Sequence, residues 1–404
     1  MHPGSITRRR RAARGALLAV VALFVLGASA GCRPVGGAAK PGGALPPPRV
    51  SQAVLTVSPG DGATEVPAEG AVRVAVADGR LVSVRLADAA GHPVPGRVGA
   101  GGVWQPDARL ALATRYTLDA VARDADGLEA VRHAAFSTLV PLHTFVAFFT
   151  PEDGSTVGVG MPVSLRFSRP ITDRAAVERA VRVTADPPVP IRLRWFGAQR
   201  LDFRPHHFWA PHTRVRLALR LRDVEGTPGV YGVQRKDVRF TIGRSQISTV
   251  DVAARLMTVR RGGRVLRTVP ISAGSREHPT YDGYLVISEK FPLTRMNSRT
   301  VGLGSEYDIP DVPHAMRLTG SGTFVHGNYW AAASVFGAEN TSHGCVGLAD
   351  VKGGGATSPA GWFFGRSLIG DVVLVTHSGD RTVAPDNGLN GWNLPWDRWR
   401  PQSG

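Results

Sequence analysis

Residues 321–348 read SGTFVHGNYWAAASVFGAENTSHGCVGL. An apolar run enters His326, a connection rich in Gly and Ala follows, and the stretch closes on Ser342-His343-Gly344-Cys345. The chain has 2 cysteines, and Cys345 is the one outside the N-terminal leader. A strand closing on a histidine, followed by a glycine turn into a cysteine, predicts a β-rich domain with a thiol displayed beside a sheet end. A thiol becomes a useful nucleophile when an imidazole or converging backbone N–H groups favour its thiolate. Gly344 opens dihedrals closed to other residues, so this turn can aim consecutive N–H groups at one point.

Attack on an amide carbonyl needs a base for the thiol proton, donors for the oxyanion and something to orient the base. The residues supply Cys345 as nucleophile, His326 as base and later acid, and the N–H groups of Gly344 and Cys345 as donors. No Asp or Asn stands out as a third member, so a backbone carbonyl near Gly327 is the expected partner of the imidazole. Two plainer readings stand beside this one. His326 and His343 are satisfied polar residues and Cys345 a small buried hydrophobe; or His314, His326, His343 and Cys345 ligate zinc, although paired spacings such as HxxxH or CxxC are absent from the set. Sortase-like thiol chemistry needs an Arg soon after the Cys, and Arg366 is too distant.

Working outward, 404 residues suffice for two to four domains, and a hydrophobic fraction of 43% is ordinary for globular material. The formal charge of +16 comes from arginines scattered singly, with no basic cluster interleaved with aromatics outside the leader. Nucleic acid is therefore not an expected partner. Residues 1–32 carry Arg8 to Arg11 and Arg14, then an apolar run and small residues ending Ser29-Ala30-Gly31-Cys32. This order reads as an export signal rather than a spanning helix. Its ending resembles a bacterial lipoprotein box, which implies a lipidated Cys32, a membrane anchor, and a location on the outer face of the cytoplasmic membrane, toward the cell wall. Cys345 then has no disulfide partner in an oxidising compartment, which favours a chemical role.

Residues 33–50, rich in Gly, Ala and Pro, read as a tether. Residues 51–140 show short β segments at 53–57, 71–77, 81–86, 110–112, 116–122 and 134–138, punctuated by turns. The grammar restarts over 141–244: SPGDGAT at 58–64 is echoed by TPEDGST at 150–156, and each unit has a Trp (Trp104, Trp195) and a Thr-Arg pair (Thr114-Arg115, Thr213-Arg214) opening an alternating strand. Tandem Ig-like β-sandwiches with core tryptophans follow from this pattern. Over 245–377, strands are expected at 247–251, 256–260, 265–273, 284–288, 323–326 and 372–376, with a short helix at 349–352 or 359–364, and 301–316 as polar loop. The tail, 378–404, holds Trp392, Trp396 and Trp399, which should dock on a neighbouring surface.

His326-Gly327 followed by Asn340-Thr341-Ser342-His343-Gly344-Cys345 resembles the signature of the L,D-transpeptidase (YkuD-type) catalytic domain. The likeness runs from Ser245 to Trp399, through Val269 to Gly274, Met296, Tyr307, Ser321-Gly322 and the closing Trp-Asn-Leu-Pro-Trp-Asp. With the leader and two Ig-like units, the layout is similar to the family's multidomain lipoprotein branch. The resemblance implies a mainly β protein that cross-links peptidoglycan without a cofactor or metal. Cys345 would attack the diaminopimelate carbonyl of a tetrapeptide stem, expel D-Ala, and pass the acyl group to the side-chain amine of a second stem, giving a 3→3 link. His343 and Gly344 would belong to the catalytic turn, and Tyr307, Ser321 and Gly322 to the donor site. Carbapenems would acylate the same cysteine. Gly347 stands where the family commonly has Asn or Arg, so backbone alone would line the site there. Release of the acyl group to water, as an L,D-carboxypeptidase, and a catalytically weak wall-binding lipoprotein are the alternatives.

Overall fold

A computed structural model describes residues 49–302 and 304–400. The leader, Cys32 and most of the tether lie outside the described residues. Among those described, no helix is long and apolar enough to cross a membrane.

Two pairs of four-stranded sheets come first. One sheet orders Val54–Ser58, Arg73–Ala77, Trp104–Pro106 and Gly96–Val98, and the other Pro93–Val94, Arg80–Asp88, Arg115–Arg123 and Glu129–Ser137. Arg115–Arg123 reads RYTLDAVAR, and its Tyr116, Leu118, Ala120 and Ala122 all turn inward, as strict alternation demands. In the second pair, Arg214–Arg220 (RVRLALR) does the same with Val215, Leu217 and Leu219. Trp104 and Trp195 are core residues of their respective units. Leu110 and Leu112, expected on a strand, are buried without joining a ladder. A helix absent from the sequence reading, Arg174–Arg179, is capped by Asp173, whose carboxylate accepts from Ala176 N at 2.9 Å.

One further sheet orders Glu225–Thr227, Val230–Gly232 and His143–Phe145, and the nine strands from Gln246 onward form a single sheet. They are β1 (Gln246–Asp251), β2 (Leu256–Arg261), β3 (Arg264–Ser272), β4 (Gly283–Val286), β5 (Glu289–Asn297), β6 (Asp308–Arg317), β7 (Phe324–Asn328), β8 (Val346–Ala349) and β9 (Val372–Thr376). Their spatial order is β4-β9-β1-β2-β3-β8-β7-β6-β5. Most neighbours are antiparallel, but β1 runs parallel to β9, and β7 parallel to β8. A parallel pair needs a crossover rather than a hairpin, and between β7 and β8 that crossover is the Gly/Ala-rich connection. Helix α1 (Pro359–Arg366) starts on Ser358, whose hydroxyl accepts from Gly361 N, with Pro359 in its first turn. Ala360 and Phe363 enter the core of the sheet. Of the two expected helix positions this is the one adopted, because the start of 349–352 is taken by the end of β8. The expectation of polar loop over 301–316 fails: β6 occupies its second half and pairs with β5 from Asn297↔Asp308 to Glu289↔Arg317.

The tryptophan tail packs on the second sandwich. Trp399 is fully buried and donates from Nε1 to Arg192 O at 2.9 Å, while Trp392 Nε1 donates to Gly160 O at 2.6 Å. The Arg204 guanidinium sits 4.6, 5.3 and 4.3 Å from the rings of Trp392, Trp396 and Trp399. Burial lowers its pKa to about 10, which leaves it charged at neutral pH, so each ring face meets a desolvated cation. Trp399→Ala should cost about 3–5 kcal/mol, read as a fall in the urea or thermal midpoint; a midpoint within error of the parent would show the tail to be dispensable to the fold.

Candidate active site

The β7–β8 register builds the site. Val325 pairs with Val346 and His326 with Gly347. Because successive side chains alternate faces, Val325, Val346 and Leu348 enter the core, while Phe324, His326 and Gly347 share the opposite face. Cys345, one residue before β8, falls on that same face beside Phe324. Its Sγ accepts from Phe324 N at 3.4 Å and donates to Gly322 O at 3.7 Å. Among the described residues, the hydrogen bonds of the thiol thus run to backbone, not to the imidazole.

His326 Nδ1 lies 2.9 Å from Gly327 O. A carbonyl only accepts, so Nδ1 carries the proton and Nε2 is the basic nitrogen. Burial pulls the His326 pKa down, partly opposed by that bond, and the ring is neutral. Trp330 stacks on it at 5.6 Å between centroids and 15° between planes. Burial pushes the Cys345 thiol up to about 11, against small opposing effects of Phe324 N–H and Arg317. The resting pair is therefore neutral thiol and neutral imidazole.

The catalytic turn is stitched to β3 and its extension. Asn340 Oδ1 accepts from Ala273 N at 2.9 Å and its Nδ2 donates to Val252 O at 3.0 Å; Ser342 N donates to Ala273 O at 3.0 Å. Ser342 Oγ donates to Cys345 O at 2.6 Å and accepts from Gly344 N at 3.2 Å, a long bond that an oxyanion can displace. Gly344 has φ +103, which L side chains rarely adopt. Gly347 is different: a Cβ there meets nothing nearer than 3.4 Å, so its lack of a side chain is not a packing requirement.

A cleft of about 160 Å³ opens over this face, lined by Tyr307, His326, Trp330, His343, Cys345 and Gly347 among others. Tyr307 belongs to a loop closed by Ser298, whose hydroxyl bonds Gly304 O and Tyr307 O, both at 3.0 Å. Burial and the neighbouring Cys345 raise the Tyr307 pKa. Gly322 reaches the thiol through its carbonyl. Ser321 does not line the cleft; its amide and hydroxyl are held by Asn387, at 3.0 and 2.9 Å. The His343 ring turns to Glu306, 2.9 Å away, and not to the thiol. His314 is held by Asp350 at 2.7 Å, apart from any shared ligand set with His326 and Cys345. Trp330, Asn328 and Glu306 were not singled out from sequence. The aromatic pair directly after His326-Gly327-Asn328 was the one available signal for the first two.

A half-buried thiol, a tautomer-fixed imidazole and an open cleft thus lie on one sheet face. Residues 245–375 match the YkuD family, the L,D-transpeptidase catalytic domain, and residues 63–225 match a bacterial Ig domain family. L,D-transpeptidase 2 of Mycobacterium tuberculosis is 36% identical over 352 residues, 86% of this chain and 84% of that protein. L,D-transpeptidase 5 of the same species is 31% identical over 353 residues, 85% of this chain and 76% of that protein. A solved structure of LD transpeptidase LdtMt1 in complex with imipenem is 32% identical, covering 58% of this chain and 100% of that one with a TM-score of 0.48. The chain belongs to the L,D-transpeptidase family.

The two glycines give opposite expectations. Gly344→Ala should cost more than about 1 kcal/mol and slow alkylation of Cys345, whereas Gly347→Ala should leave the unfolding midpoint unchanged. Equal behaviour of the two variants would contradict the turn geometry. Iodoacetamide labelling of Cys345 should keep rising from about pH 7 to about pH 10; a plateau below about pH 8 would mean a thiolate–imidazolium pair instead.

Proposed function

We propose that the protein is a peptidoglycan L,D-transpeptidase that forms 3→3 cross-links through a thioester on Cys345. The observation that carries this is the Cys345 thiol, fixed by Phe324 and Gly322 on the same sheet face as an imidazole whose Nε2 is free to take a proton. As the Sγ–carbon bond forms at the donor stem carbonyl, the thiol proton passes to His326 Nε2. Because the thiol sits at about 11 and the imidazole below its ordinary range, this transfer is unfavourable until the carbonyl oxygen develops charge. The N–H of Cys345, joined by that of Gly344 once it leaves Ser342, stabilises that oxyanion. Collapse breaks the bond to D-Ala, whose amine takes the proton from His326. The side-chain amine of an acceptor stem then attacks the thioester, gives its proton to His326, and the thiol leaves reprotonated.

Hydrolysis of the same thioester, as an L,D-carboxypeptidase, is the second reading. Gly347 supports it, since it lines the cleft without a side chain to shield the thioester from water. Two measurements decide. A carbapenem should add one adduct mass at Cys345, and a Cys345→Ala protein that still gained it would sink the assignment. With disaccharide-tetrapeptide, cross-linked dimer supports the transpeptidase and tripeptide alone the carboxypeptidase.

We further propose that Cys32 is lipidated and holds the protein on the outer face of the cytoplasmic membrane, the two Ig-like units spacing the cleft toward the wall. Metabolic labelling with an alkyne fatty acid should mark the parent and not Cys32→Ala; label in both would refute the anchor.

A further inference from the structure

We propose that His278, Glu306 and His343 form a divalent transition-metal site, of zinc type, on the rim of the catalytic cleft. The Nε2 atoms of His343 and His278 lie 2.9 and 3.5 Å from the same Glu306 oxygen, and the three ligand atoms all lie within 4.8 Å of one another. Zinc bonds of about 2.0–2.2 Å at tetrahedral angles separate ligands by roughly 3.3 Å, so the carboxylate stands within a few tenths of an ångström of that spacing from each imidazole, and the two imidazoles need approach each other by at most roughly 1.5 Å to close on an ion. Two imidazoles and one carboxylate select zinc, copper or nickel over magnesium or calcium, which prefer oxygen. Three protein ligands leave a fourth position open.

The ligands come from three different connections. His278 lies between β3 and β4, Glu306 between β5 and β6, and His343 in the catalytic turn. The rings of His278 and His343 are 4.9 Å apart, and Tyr307, next to Glu306 in sequence, packs on His343 at 5.1 Å. Tyr307 and His343 both line the cleft. An ion at this point therefore fastens the Tyr307 loop to the turn that carries Cys345 and narrows the way to the thiol. Its neighbour Gly344 already packs against this connection, a Cβ there lying 3.6 Å from Pro279 O and 3.8 Å from His278 O. The ligand set stands without the transpeptidase reading; only a consequence for cross-linking rests on it.

The test uses metal-free full-length protein titrated with zinc chloride against a chromophoric chelator. One ion per chain is expected. His278→Ala and Glu306→Gln should each weaken binding by about tenfold or more, since removal of a ligand costs at least what removal of a ligand's supporting partner does. A Cys32→Ser/Cys345→Ser protein should bind as the parent does. Matching thermal midpoints of the metal-free proteins guard against misfolding, and either ligand variant suffices. Undiminished binding in both ligand variants, or loss of binding with the cysteines, overturns the site. Zinc should also slow iodoacetamide labelling of Cys345, read by peptide mass, in the parent but not in His278→Ala. Equal rates with and without zinc in the parent overturn the clamp.

Discussion

The parallel pairing of β7 with β8 is the constraint on which the site depends. With His326 opposite Gly347, the polar face of each strand looks into the cleft while Val325, Val346 and Leu348 fill the core. A slip of one residue would drive the imidazole into the apolar layer and lift valine into the cleft. The core therefore enforces the catalytic register: burying three aliphatic side chains fixes where the imidazole and thiol stand. The crossover that a parallel pair requires also carries Trp330 out to stack on His326 and brings the catalytic turn back along β3.

The cleft is supported from a distance by the end of the chain. Asn390 is fully buried, accepts from Val286 N at 2.8 Å and donates to Leu318 O at 2.9 Å. With Asn387 on Ser321, it fixes the turn whose Gly322 carbonyl meets the thiol. The same segment continues to Trp399 and the stack on Arg204. Contacts are thus continuous from the second sandwich, through the tryptophan tail, to the floor beneath Cys345. Deep contacts between Gly158 and the Ile369 to Asp371 turn brace the same two units on another side.

Much of this was legible in the sequence because alternation and motif spacing are local. RYTLDAVAR and RVRLALR state their inward faces outright, and the sequence alone pointed to Cys345, His326 and a backbone partner at Gly327. The β5–β6 arm was not legible. Pro292, Pro310 and Pro313 interrupt it, and proline normally argues against a sheet interior. The structure tolerates them because β5 is an edge strand and β6 meets β7 only at Met316 and Arg317. Ser321 was read as lining the cleft, yet its partner Asn387 lies in a tail that no local pattern ties to it. His278 and Glu306 sit in polar connections, where one titratable residue looks like any other until the fold brings them to His343.

The raised pKa of the thiol bears on how long the protein keeps its chemistry. Peroxides and disulfide-exchange partners react with thiolate, and Cys345 holds almost none at neutral pH. A cysteine that waited as an ion pair would be consumed by oxidants in proportion to its readiness. In the proposed mechanism the thiol gives up its proton only when a carbonyl arrives, with His326 as the acceptor. The raised pKa therefore doubles as chemical storage, trading constant reactivity for resistance to oxidants.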